Sequence, residues 1–242
     1  MKIINFSNIS SKSLIGFLLR LPLKLLPKNF VVPIIQGEIK GYKWIVGSGV
    51  NGYWLGSYEL EKVLLFSKLI KEKGIKVVYD IGANVGYYTL ISSKLVGSTG
   101  KVYAFEPNPR NVFYLKKHIE MNRIENTTIV EAAVCDKCGL IRFDNTLDSS
   151  MGKISDKGID VQSLTIDNFV FEQNNHPPEL MKFDIEGAEY DAFIGAEKTI
   201  TKFHPVLFLA AHSDDLLSEC LNFIKKHSYI ITEIQKYEVV AY

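Results

Sequence analysis

A chain of 242 residues, 47% hydrophobic and 23% charged, holds enough apolar material for one large α/β domain with a modest appendage, which excludes overall disorder. Its net charge of +1, with no dense basic run interleaved with aromatics, sets nucleic acid aside as a partner. The three cysteines include one C-x-x-C, Cys135 and Cys138, but no second pair or histidine set completes four zinc ligands, so they read as reduced thiols of a cytoplasmic protein.

Residues 13–28, SLIGFLLRLPLKLLPK, crowd leucines around Arg20, Lys24 and Lys28 and are broken by Pro22 and Pro27. The stretch is too short and too charged to span a bilayer, and it carries no small-residue cleavage site. It reads as a helix packed on the main domain, with a peripheral amphipathic contact to a membrane surface or a partner as the alternative. Glycines at 37, 41, 47, 49, 52 and 56 then punctuate short alternating runs, the mark of a β-hairpin or small meander. Trp44, Tyr53 and Trp54 in this region either stack on a flat substrate or fill the seam against the main domain. Residues 1–56 are thus expected to form a cap, and residues 57–242 the main domain.

From Ser57 to Lys73 the pattern is helical, with Glu59 and Glu61 in the first turn, Lys71 and Lys73 in the last, and Gly74 as the stop. KVVYDIGANVGYYTL, Lys76 to Leu90, reads as strand, tight turn and helix, with Gly82 and Gly86 supplying the turn. A helix start presents free amides and a positive dipole end, so a polar, partly anionic ligand suits it. A second strand, Lys101–Pro107, ends in Glu106; a helix over 111–122 contains His118, read as a helix side chain. A third strand is expected over Thr127–Val134. The polar stretch Asn145–Asp160, between two β-runs, reads as a mobile loop. LMKFDIEG is a fourth strand, followed by a helix opening with AEYDAFIGAEKTI. A fifth strand runs over Pro205–His212, with a helix over 215–226 and a closing β-hairpin. Strands alternating with helices, several of them continuous apolar runs, predict a doubly wound, mostly parallel sheet covered on both faces.

In such a sheet ligands bind beyond the carboxyl ends of the strands, at the switch in strand order. Asp80, Glu106, Asp184, Glu186 and His212 all fall at or near strand ends on that edge. Glu106, about two dozen residues past the first loop, stands where a carboxylate takes both hydroxyls of an adenosine ribose. Asn84 occupies the place of the second glycine of a dinucleotide fingerprint, and no GK[ST] is present, which argues against nicotinamide cofactors and a P-loop.

DIGANVGYYTL, VYAFEPNPRN and MKFDIEGAEYDAFIGAE, in this order and spacing, resemble the FkbM family of S-adenosylmethionine-dependent methyltransferases, over roughly Glu59 to His212. The resemblance implies the Rossmann-like class I fold with an antiparallel C-terminal strand, and mostly O-methyl transfer. It implies that the amides around Gly82, Ala83 and Asn84 receive the methionine portion of S-adenosyl-L-methionine, with Gly86 also counted among the cofactor-binding residues. Asp80 would lie beneath its amino group, Glu106 would hold the ribose, and Asn108 and the segment from Glu131 to Ala133 would border the adenine. KGYKWI and GYWLGSYE further resemble members tied to sugar and glycan pathways.

Methyl transfer to a hydroxyl needs alignment, water exclusion and a base. Asp184, Glu186 and His212 are the candidates. Neighbouring carboxylates raise one another's pKa, and the same cluster could bind substrate hydroxyls or a divalent metal, which the sequence does not require. Glu189 reads either as part of this cluster or as a first-turn partner of the helix dipole. Ala210 stands where many members carry a glutamate, leaving more of the chemistry to His212 and the Asp184/Glu186 pair. The expected function is O-methylation of a saccharide or a glycosylated small molecule. The alternatives are an N-, lipid or protein methyltransferase, or a binding module of the same fold.

Overall fold

In a computed structural model, residues 26–144, 153–154 and 158–242 are described. The amphipathic reading of residues 13–25 and most of the expected loop at 145–160 fall outside them. Among the described residues no helix is long and apolar enough to cross a membrane.

β1 (Val31–Pro33) and β2 (Lys43–Ile45) pair antiparallel, giving the hairpin the glycine spacing predicted. A meander does not continue: the chain turns into a short helix, α1 (Gly52–Leu55), closed by left-handed Gly56. Ser57 and Tyr58 both donate to the Gly52 carbonyl, so the long helix α2 (Leu60–Lys73) starts after this turn and not at Ser57. Trp44 is fully buried and Tyr53 and Trp54 nearly so, in one cluster with Phe66, Val78 and Phe208. The aromatics therefore fill the seam. His118 seals it: its ring stacks on Trp44 with centroids 3.9 Å apart, Nε2 accepts from Ile45 N–H and Nδ1 donates to the Val85 carbonyl. Burial lowers its pKa to about 4, which keeps the ring neutral for this pair of roles.

The main sheet contains β3 (Val77–Ile81), β4 (Lys101–Phe105), β5 (Thr127–Val130), β10 (Leu180–Phe183), β11 (Val206–Ala210), β12 (Ile231–Gln235) and β13 (Glu238–Ala241). Their spatial order is β12-β13-β11-β10-β3-β4-β5, parallel except where β13 runs against β11 and β12. The chain moves outward from β3 to β5 and then returns to place β10 beside β3, so the switch point lies between β3 and β10. Helices α3 (Tyr87–Val96) and α4 (Pro109–Met121) follow β3 and β4. The expected single helix after β10 is two, α5 (Glu189–Ile194) and α6 (Glu197–Phe203), divided at Gly195, where an added Cβ would lie 2.1 Å from the Cys135 carbonyl oxygen. Helix α7 (Asp214–Lys226) is capped by the Ser213 hydroxyl, with Asp214 and Asp215 in its first turn.

The strand expected over Thr127–Val134 is also divided. β5 ends at Val130, where Ala132 N–H turns back onto the Val130 carbonyl, and β6 (Ala133–Val134) joins a second sheet with β7 (Gly139–Asp144), β8 (Lys153–Ile154) and β9 (Ile159–Leu164). β9 begins inside the stretch read as loop. This small sheet stands beside the cleft above β4 and β5, and Phe143 faces that cleft.

Candidate functional site

Two adjoining clefts open over the switch point, sharing Gly82, Asn84, Asp184 and Glu186. The first is walled by Phe105, Glu106, Asn111, Ala133, Phe143 and Ile185, among others. It is a largely apolar slot with a carboxylate at one side, suited to a purine nucleoside. The second is polar, with Tyr58, Glu59, Lys62, Tyr88, Lys182 and His212 in its walls.

The glycine-rich turn is held by β4. Gly82 and Ala83 both donate their N–H groups to the Phe105 carbonyl, at 3.0 and 2.9 Å, and Asn84 N–H donates to Glu106 Oε2 at 2.7 Å. These amides, expected to receive the methionine portion of a cofactor, are spent on shaping the loop, because folding it back onto β4 satisfies them internally. Asn84 sits at φ +50, which its short polar side chain tolerates. Gly82, at φ +83, passes so near β10 that a Cβ would lie 1.9 Å from the Asp184 carbonyl oxygen. Gly86 has a packing role: a Cβ there would meet Leu115 of α4 at 2.5 Å.

Asp80 lies within β3 and is fully buried; Oδ2 accepts from Thr89 Oγ1 at 2.6 Å. Its Oδ1 has no hydrogen-bond donor among the described residues, and the Lys182 ammonium at 3.3 Å compensates its charge. Glu106 is buried with Oε1 accepting from Asn108 N–H and Oε2 from Asn84 N–H. Burial outweighs these bonds and raises its pKa to about 7. Asn108 caps α4 through Arg110 N–H, and Asn111, one turn on, faces the cleft in its place. Glu131 points outward to Lys116, leaving Ala132 and Ala133 as the wall.

Across the shared floor, Asp184, Glu186 and His212 come together, with ligand atoms all within 4.8 Å of one another. His212 Nε2 lies 3.6 Å from Asp184 Oδ1 and 3.4 Å from Glu186 Oε2. Behind it Glu189, completely buried, accepts the His212 Nδ1 proton at 2.8 Å and also accepts from Ile185 and Gly187 N–H. Burial alone would lower the His212 pKa, but the Glu189 hydrogen bond and the charges of Glu189, Glu186 and Asp184 outweigh it and raise it. Burial chiefly raises Glu186, with His212 opposing and Asp184 and Glu189 adding to the rise. The arrangement aims one imidazole nitrogen at the cleft and fixes the other, which suits proton abstraction; the same three side chains could hold a divalent cation.

Lys182, Tyr88 and Lys62 are not among the residues the sequence singles out, and Glu59 enters there only as a first-turn acid of the helix. Lys182 left a trace there, as a lone charge in the apolar strand LMKF. The Glu59–Lys62–Glu238 cluster, with Lys62 Nζ at 2.7 and 2.6 Å from the two carboxylates, joins residues far apart in the chain and left none.

The parallel sheet with its reversed strand β13, its cleft over the β3/β10 switch and a buried acid at the end of β4 define a class I methyltransferase fold. The chain belongs to the FkbM methyltransferase family: the model of the methyltransferase FkbM domain matches residues 80–231. Membership implies S-adenosylmethionine as the methyl donor. A crystal structure of methyltransferase FkbM from Methylobacillus flagellatus KT superposes with a TM-score of 0.53 at 17% identity, over 80% of this chain and 56% of that one. A probable cobalt-precorrin-6B C(15)-methyltransferase (decarboxylating) of Sulfolobus acidocaldarius is 32% identical over 89 residues, 37% of this chain and 45% of its own. The chain thus spans about half the length of these two relatives.

The residues present fit the cofactor. The buried Asp80 carboxylate has one oxygen with no hydrogen-bond donor among the described residues, only the Lys182 ammonium 3.3 Å away, and Gly82 lets the turn lie against the end of β10, where a Cβ would strike the Asp184 carbonyl oxygen. Glu106 Oε1 accepts from Asn108 N–H and, at 3.5 Å, from Asn111 Nδ2, and Oε2 accepts from Asn84 N–H; ionised, it can accept from both hydroxyls of a diol, whereas the protonated acid turns one oxygen into a donor. S-adenosylhomocysteine affinity is therefore expected to rise as pH is raised through about 7. Calorimetric titrations across that range check this, and an affinity flat with pH would remove Glu106 from ribose binding.

Proposed function

We propose that the protein is an S-adenosylmethionine-dependent O-methyltransferase acting on a hydroxyl of a saccharide or a glycosylated small molecule. One observation carries this reading: a histidine oriented by a buried carboxylate, with its free nitrogen beside Asp184 and Glu186, on the floor shared by the two clefts. Bound S-adenosylmethionine supplies an electrophilic methyl group on a sulfonium.

The chain's own residues do the rest. Asp80, Gly82 and Glu106 seat the donor, and the polar wall of Tyr58, Glu59 and Lys62 offers hydroxyl, carboxylate and ammonium partners for a polyhydroxylated acceptor. Neutral His212 would take the acceptor's proton at Nε2 as the acceptor oxygen attacks. Glu189, Glu186 and Asp184 stabilise the imidazolium. An unactivated hydroxyl is the acceptor that most needs such a base, which favours O-transfer over N-transfer. The free thiols suit a reducing compartment, and we assign the cytoplasm.

A screen of glycans and glycosides with methyl-labelled cofactor tests the reading; labelling of amines or proteins alone, with no saccharide labelled, would overturn it. A divalent ion bound by Asp184, Glu186 and His212 is the competing use of the cluster. With His212 as the base, turnover is expected to survive exhaustive dialysis against a chelator. Loss of activity restored by Mg²⁺ or Mn²⁺ would assign the cluster to a metal.

A further inference from the structure

Lys182 occupies the third position of β10, with Leu180, Met181 and Phe183 around it, and is only 4% exposed. A buried ammonium costs several kcal/mol unless it is compensated, so at a position of purely structural use an apolar side chain would serve at least as well. Its Nζ lies 3.3 Å from Asp80 Oδ1, 3.5 Å from Asp184 Oδ2 and 4.9 Å from the centroid of the Tyr88 ring. Asp80 belongs to the donor's side of the site and Asp184 to the acceptor's, and Lys182 stands between them. It faces the same cleft as Gly82, Asn84 and His212. Its neighbours keep it protonated: burial would lower its pKa, but the charges of Asp80, Asp184 and Glu59 outweigh that and raise it. It cannot serve as the base.

We propose that Lys182 is a positioning residue that neutralises Asp80 and Asp184 so that the donor's sulfonium is not overbound before reaction. The inference rests on the methyltransferase reading above. The donor carries a full positive charge that is lost as the methyl leaves. Carboxylates that stabilise this cation in the ground state lose that stabilisation at the transition state and so raise the barrier. Asp80 and Asp184 are needed to seat the donor and to support His212, yet uncompensated they would hold the cation back. Lys182 permits both carboxylates to remain while cancelling their field at the point of transfer.

The consequence can be read without an acceptor, from two ligands of different charge. Sinefungin carries a cationic amine where the sulfonium methyl stands, whereas S-adenosylhomocysteine has a neutral sulfur. Calorimetric titration of both into the unaltered protein, K182M and K182R is expected to show a sinefungin-to-S-adenosylhomocysteine affinity ratio about tenfold higher in K182M, as expected for a missing charge several ångströms away in a partly screened site. K182R should keep the original ratio. If an acceptor is in hand, K182M should lower KM for the donor together with kcat. Should K182M melt below the assay temperature, K182Q reads the same ratio. An unchanged ratio in a folded variant overturns the proposal, as does an equal loss of both ligands in K182M and K182R, the pattern of a structural role. If the unaltered protein binds neither ligand, the cofactor reading itself falls, and this inference with it.

Discussion

Replacing His212 by alanine is expected to lower kcat about a thousandfold while S-adenosylhomocysteine binds as before. The first half follows from its position: Nε2 lies within 3.6 Å of both Asp184 and Glu186 at the cleft, while Nδ1 is fixed by Glu189. The second half follows because Asp80 and Glu106 are held by other groups, Asp80 by Thr89 and Lys182 and Glu106 by Asn84 and Asn108. Glu189→Gln should reproduce a large part of the loss. An amide can face Nδ1 with its oxygen, but it cannot offset the imidazolium charge, and it presents an N–H₂ where Gly187 N–H also points. Single-turnover methyl transfer separates this from binding. Turnover within about threefold of the original for His212→Ala would remove the histidine from the role of base. The raised His212 pKa sets the direction of the pH profile: neutral imidazole is the active form, so kcat should climb with pH through a midpoint above the ordinary histidine value.

Gly82→Ala is the second substitution with a large expected effect, and here it falls on folding and binding together. A Cβ at 82 would lie 1.9 Å from the Asp184 carbonyl oxygen and 2.8 Å from its carbonyl carbon, and the residue holds φ +83. Backbone cannot give way as a flexible side chain can, so the turn after β3 must separate from the end of β10. Strain of this kind costs about 3 kcal/mol, which for a domain of this size lowers Tm by roughly 6–12 °C. The same movement displaces Asp184 and Glu186, and binding of S-adenosylhomocysteine should be lost at ligand concentrations that saturate the original protein. Gly74→Ala is the control. It shares a positive φ, +64, but has nothing within 4 Å of its added carbon, so only the left-handed backbone cost of about 1–2 kcal/mol remains. Equal melting temperatures for the two variants would refute the close-approach argument.

Much of this arrangement was legible from residue order, for reasons that differ by element. VVYDI and LMKF read as buried parallel strands because they are short apolar runs bounded by turn residues, and they are buried. Placement of Asp80, Glu106, Asp184, Glu186 and His212 near one sheet edge followed from strand polarity alone, since parallel strands put their carboxyl ends together. The division of the strand at Val130 was hidden, because EAAV has the apolar character of a strand in either sheet. The start of α2 was hidden too: Glu59 looks like a first-turn acid but lies at φ +43, before the helix.

At the site the difference is sharper. Residue order determined which residue types stand at the strand ends, and together with the family resemblance it led to the expectation of a methyl donor's cleft with an acid for the ribose and a carboxylate and histidine set opposite. It could not assign partners to groups that become neighbours only when β3, β4, β10 and β11 lie side by side. The amides of Gly82, Ala83 and Asn84 looked free at a helix start, yet Phe105 at the end of β4 and Glu106 just beyond it supply acceptors for all three. Glu189 read either as a member of the acidic cluster or as a companion of the helix dipole, and only packing decides it: it is buried under His212, 23 positions along the chain. Lys182 was one charge in an apolar strand until Asp80, across the ladder, and Asp184 closed around it. Side-chain chemistry is written in the chain; which charge cancels which, and so which nitrogen is left to act as a base, is decided by packing, because those energies depend on distances of a few ångströms between residues far apart in sequence.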